Sequence, residues 1–116
     1  MSDRERLELA AKAAGIVGEY YKGNLNDEWV EGIIYIREDG QQCVWNPLTD
    51  GGDALWLSVK LELDIYHSCI SVRAIHRNND AGAGVRCKGK HPQMDPYTAT
   101  RRAIVRAAAE IGRNMK

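Results

Sequence analysis

Trp45-Asn46-Pro47-Leu48-Thr49-Asp50-Gly51-Gly52-Asp53-Ala54-Leu55 marks a change from extended chain to helix. Pro47 has no amide hydrogen and biases Asn46 toward extended geometry. Thr49 or Asp50 can accept from the free amides of a first helical turn. Asp50 and Asp53 place negative charge at the helix end whose dipole favours it. Nothing in the stretch is a catalytic motif. The spacing predicts a helix over 50–61. Ala54, Leu57, Ser58 and Leu61 lie along one side, Leu55 and Val59 along the next, and Trp56 toward the edge. So wide an apolar arc predicts a well-buried helix, with Trp56 in a core role.

The rest of the chain is placed around this turn. Upstream, Ile33, Ile34, Tyr35 and Ile36 favour a strand over 29–37, Asp39-Gly40 signals a hairpin, and 41–45 returns as its partner. Residues 16–21 read as extended and 22–27 as turn-rich. At the start, Ser2-Asp3-Arg4-Glu5 has the capping-box spacing, and Leu7, Ala10, Ala11, Ala14 and Val17 recur at helical intervals. A helix is expected over 3–14, stopped by Gly15. Downstream, alternation over 65–76 predicts one strand, 77–84 a glycine-rich hairpin tip, 85–88 the return, and 91–96 a linker. The last helix starts near Asp95-Pro96 or Thr98. Its expected buried stripe is Ala99, Ala103, Ile104, Ala107, Ala108 and Ile111, with Arg102, Arg106 and Arg113 on the other side. The order predicts an α+β fold: a mainly antiparallel sheet from two hairpins, covered by three helices, in a single domain over 1–116.

Composition narrows the class further. Sixteen basic and sixteen acidic residues cancel, which argues against a general nucleic-acid binder. Met1-Ser2-Asp3-Arg4-Glu5-Arg6 has mixed charge with no apolar run behind it, so no signal peptide is expected. No stretch has the length and apolarity to span a membrane, and a cytoplasmic location is the expectation. Three widely spaced cysteines do not form a disulfide framework. With no Phe, all aromatic surface comes from Trp and Tyr, which keep a polar handle.

Four stretches carry a family resemblance: Leu7-Glu8-Leu9-Ala10-Ala11-Lys12-Ala13-Ala14-Gly15, Trp45-Asn46-Pro47-Leu48-Thr49-Asp50, Gly52-Asp53-Ala54-Leu55, and Asp95-Pro96-Tyr97-Thr98-Ala99-Thr100-Arg101-Arg102-Ala103-Ile104. Together they resemble small phage and prophage proteins of the phage ABA sandwich and NinX-like group. The turn before a helix and the Arg-Ala-Ile start to the final helix are the shared features. The resemblance implies a three-layer α-β-α sandwich and a phage-encoded accessory protein. By analogy with phage proteins of similar plan, it also suggests a counter-defence role, sequestering a nucleotide-type immune signal without cleaving it.

Candidate sites follow from residue chemistry. Arg101, Arg102 and Arg106 on the last helix can clamp a phosphate or a partner carboxylate; the competing reading is a solvated face with Arg106 paired to Glu110. Arg77 and Arg86 flank the tip at 78–84, where glycine allows close approach of backbone amides. The turn from Asn46 to Asp53 is either structural, with Asn46, Thr49 and Asp50 bonding backbone, or a site in which Asp50 and Asp53 accept ribose hydroxyls, base amines or a partner's arginines. Trp45 or Trp29 offers a stacking surface for a base. His67, Cys69, His76, Cys87 and His91 match no usual zinc spacing, so neither metal nor cofactor is expected. No Gly-x-Ser-x-Gly elbow, Walker loop or His-Glu-x-x-His is present, and no catalytic residue is assigned. The alternative to a nucleotide-binding protein is an inhibitor in the manner of an anti-CRISPR. It would block a host defence protein through exposed Trp29, Trp56, Tyr20 and Tyr21. A nucleic-acid-binding accessory protein is the weaker third reading. Strand edges that need cover make a homo-oligomer compatible with all three.

Overall fold

A two-residue turn with the left-handed backbone that hairpins favour opens the first sheet: Asn26 and Asp27 have φ of 53° and 69°. The computed structural model describes residues 2–67, 71–76, 82–86 and 95–115. Helix α1 (Asp3–Ala14) is followed by β1 (Gly18–Leu25), β2 (Glu28–Ile36), β3 (Gln42–Trp45), α2 (Gly51–Lys60), β4 (Leu63–His67), β5 (Ser71–His76), β6 (Gly82–Arg86) and α3 (Pro96–Asn114). The strands form two antiparallel sheets, each in sequence order: β1-β2-β3 and β4-β5-β6. The α+β class with three helices is therefore as expected, and its strands are shared between two sheets.

Local chemistry accounts for most boundaries. Ser2 accepts from the Glu5 amide to start α1, and Gly15 ends it at φ 78°. Asp50 accepts from the Asp53 amide to start α2. Asp95 accepts from the Tyr97 and Thr98 amides to start α3, with Pro96 in the first turn, where no amide hydrogen is needed. The β2–β3 loop closes on Gly40 at φ 85°, as its Asp-Gly sequence requires.

Three expectations are corrected. Residues 22–25, read as turn, continue β1 and pair up to Leu25↔Glu28, because the tight turn needs only Asn26 and Asp27. The single strand expected over 65–76 is a hairpin, with Leu63↔His76 and His67↔Val72 at its two ends. Alternation survives in each half and hides the fold-back between them. The glycine-rich tip is shorter than expected, because Gly82 and Gly84 pair with Ile75 and Arg73 as part of β6. The rest of that tip, 78–81, lies outside the described residues.

One core joins the elements. Leu7, Ala10, Ala11 and Ala14 of α1 meet Ile33, Trp45, Leu57, Val72 and the alanines of α3. Helix α3 packs on α1 and on β5 and β6, while α1 also touches β1 and β2. Small residues make the crossing close: a Cβ on Gly112 of α3 would run into the Leu9 carbonyl of α1. Helix α2 departs from its predicted burial. Ala54, Leu57 and Ser58 are buried, but Leu55, Trp56 and Val59 are 65, 46 and 68 % exposed.

One glycine tests this packing. Gly112→Ala would gain up to about 1 kcal/mol of helix propensity at a free site. Here overpacking against Leu9 outweighs that gain, and a net loss of about 1–2 kcal/mol is expected by urea denaturation. A gain in stability would show that the helices do not cross so closely.

Candidate functional site

Asn46 organises the ground on which the site stands. Its side chain is buried, and its Nδ2 donates to the Glu31 carbonyl of β2 at 2.8 Å. Its Oδ1 accepts from the Leu48 amide at 3.0 Å, and its own amide donates to Asp53 Oδ2 at 2.9 Å. Its carbonyl accepts from the Thr49 and Asp50 amides. Strand β2 comes this close because Gly32, at φ 152°, has no side chain: a Cβ there would meet the Trp45 carbonyl at 2.5 Å. The structural reading of this turn is thus satisfied atom by atom.

Arg101 and Arg102 reach this turn from α3. Arg101 Nε donates to the Leu48 carbonyl at 3.0 Å and its NH2 to Thr98 Oγ1 at 3.0 Å. Arg102 takes Asp3 of α1 in a two-pronged pair at 3.3 and 3.4 Å. The two arginines, Asn46, Thr49, Asp3 and Glu31 line a cleft of about 330 Å³. It offers two guanidinium groups to an anion and two carboxylates to hydroxyl or amine donors.

The surroundings tune these charges. Asp3 also pairs with Arg6 at 3.5 Å. Arg106 lies near enough for burial, then Arg6 and Arg102, to lower its pKa against the opposing pull of Asp3. The competing reading of a solvated arginine face on α3 fails at Arg102, whose side chain is only 28 % exposed and spans to Asp3 of α1. Glu110 bridges to Arg113 at 3.6 Å. Tyr20 donates to Glu31 Oε2 at 2.7 Å, and that bond raises the Tyr20 pKa, with Arg4 stacked over its ring at 5.3 Å.

The other sequence candidates separate. Trp45 is 2 % exposed and packs in the core, so its ring offers no open stacking surface. Trp29 is exposed at the far end of β2, beside the β1–β2 turn. Asp50 caps α2 and does not line the cleft. Arg86 ends β6 opposite Ser71. Arg77, Cys69, Cys87 and His91 lie outside the described residues. His67 and His76 stand at opposite ends of the β4–β5 ladder. Among the described residues, no three His, Cys, Asp or Glu side chains gather as a metal site. Asp3, Glu31 and Thr98 were not foreseen as site residues. Their capping and pairing roles are visible in the sequence, but the faces they share are not. No family model matches the chain, and no curated protein or solved structure matches it significantly.

Two substitutions probe the turn. Asn46→Ala strands the Leu48 amide and the Glu31 carbonyl, and a loss of about 2–4 kcal/mol is expected in chemical denaturation. Asp53→Asn keeps an acceptor for the Asn46 amide. Burial raises the Asp53 pKa above 3.8, with Asp50 adding and the Asn46 bond opposing. The neutral form therefore suits the fold: its contribution is complete below the unfolded pKa and is lost as pH rises through the folded value. Asp53→Asn is expected to match the parent at low pH and to be the more stable near neutrality, read as thermal midpoints across pH.

Proposed function

We propose that this is a phage- or prophage-encoded accessory protein that acts by binding rather than catalysis. In this reading the Arg101–Arg102 cleft takes the phosphorylated part of a nucleotide-type immune signal. The observation that carries it is the convergence of Arg101, Arg102 and Asn46, distant in sequence, on one cleft with two threonines and two carboxylates. A phosphate would exchange with Asp3 for the Arg102 guanidinium, whose bonds to Asp3 are long at 3.3 and 3.4 Å. Glu31 is placed to accept from a sugar hydroxyl. Among the described residues no aromatic side chain lines the cleft, so in this reading recognition rests on phosphate and sugar rather than on a stacked base. At about 330 Å³ it suits one nucleotide unit.

A second reading has its own observation. Leu55, Trp56 and Val59 stand exposed together on α2, a surface suited to an inhibitor that docks on a host defence protein.

The purified protein is mixed with cyclic nucleotides and ADP-ribose isomers, separated from free ligand, and heated. Mass spectrometry of the supernatant is expected to find one ligand released unchanged. Arg101→Ala with Arg102→Ala should cut retention at least about tenfold, as loss of charge-assisted bonds implies, with circular dichroism unchanged. Release of a converted product would overturn binding without catalysis. Retention of nothing across the panel would favour the inhibitor reading, in which Trp56→Ala abolishes capture of the target.

A further inference from the structure

The polar cleft has a neighbour on the other side of Arg101. Thr98, Arg101 and Arg102 stand at i, i+3 and i+4 of α3 and line the cleft. Tyr97, Thr100, Arg101 and Ile104 stand at i, i+3, i+4 and i+7 and line a separate groove of about 370 Å³. Arg101 belongs to both rows and is the wall between them. Helix α2 meets the groove with the same spacing, through Gly51, Ala54, Leu55 and Ser58. Ile65 and His67, two apart and so on one face of β4, complete it.

The groove differs from the cleft in chemistry and is open to solvent. Ala54 and Ile104 are buried and form an apolar floor, while the walls Leu55 and Tyr97 are 65 and 79 % exposed. The hydroxyls of Ser58 and Thr100 are spent on helix carbonyls, those of Leu55 and Pro96, at 2.8 and 2.7 Å. Two polar groups remain for a ligand. His67 is exposed. Arg101 gives Nε to the Leu48 carbonyl and NH2 to Thr98, and its NH1 has no partner among the described residues.

We propose that this groove holds the nucleobase of a ligand whose phosphate lies in the Arg101–Arg102 cleft, an assignment that rests on the phosphate reading of that cleft. The shared Arg101 makes the two cavities neighbours, and the opposite wall agrees. Thr49 lines the cleft and Gly51 the groove, and two residues of chain span at most about 7 Å. A ribose bridges such a gap. Each cavity alone sits near the lower end of the roughly 300–1,000 Å³ that ligand sites occupy, and a two-part ligand uses both. The cleft supplies guanidinium groups and carboxylates, which suit phosphate and sugar. The groove supplies carbon walls and one tyrosine ring, which suit the remaining part. A base is apolar on its faces and polar at its edge: the faces meet Leu55 and Tyr97, and the edge reaches His67 or Arg101 NH1. An alkyl chain would leave both polar groups unused, and a second phosphate would lie against carbon. Every base has such faces, so the groove selects for a base more than for one base.

Adenosine monophosphate and ribose 5-phosphate are the probes, because they differ only in the base. Their dissociation constants are measured by calorimetry on the full chain. Adenosine monophosphate is expected to bind at least about tenfold more tightly. Tyr97→Ala and Leu55→Ser change exposed walls, and circular dichroism checks that both variants keep the fold. Each should bring adenosine monophosphate toward the ribose 5-phosphate value and leave ribose 5-phosphate unchanged. Arg102→Ala, away from the groove, should weaken both probes alike. Equal binding of the two probes would overturn the groove assignment and leave the cleft reading standing. So would a preference for adenosine monophosphate that survives both groove variants. If neither probe binds at millimolar concentration, the cleft reading fails and the groove assignment falls with it.

Discussion

A single buried carboxamide carries the geometry on which the rest depends. Asn46 is 6 % exposed, so water is a poor substitute for its partners. Its side chain ties strand β2 to the turn, its amide ties the turn to Asp53 of α2, and its carbonyl closes the turn that leads to the Asp50 cap. These bonds work together because breaking one leaves a buried polar group behind. Gly32 is the other half of the device: without a Cβ it lets the Trp45 carbonyl lie against β2. The Leu48 carbonyl is thereby held where Arg101 of α3 can use it, across 53 residues of sequence.

The charges repeat the pattern of local imbalance inside a neutral whole. The chain has a formal charge of zero, yet Asp3 alone serves both Arg6 and Arg102, with Arg106 close by. Asp3 is thus shared between two guanidinium groups beside the cleft, where partial burial weakens solvent screening.

Helix α2 illustrates how apolar pattern and burial part company. Its wide apolar arc is real in the sequence, and among the described elements the helix packs mainly on α3 and β4. Leu57 is buried there while Leu55 and Val59 face outward. Periodicity says which residues share a side. It does not say whether anything lies opposite.

Much was legible in the sequence because it depends on near neighbours. Ser2, Asp50 and Asp95 start helices within three residues of themselves, Gly15 and Gly40 adopt the left-handed backbone locally, and alternation marks each strand. Arg101, Arg102 and Asn46 could be named as candidates from their chemistry alone. What the sequence could not show was distance. The fold-back between β4 and β5, the sharing of strands between two sheets, and the burial of Trp45 are set by partners far along the chain. So is the meeting of Asp3 with Arg102 across 99 residues. Capping and turn chemistry are short-range and written residue by residue. Packing is a contest among surfaces, and only the folded chain decides which of them meet.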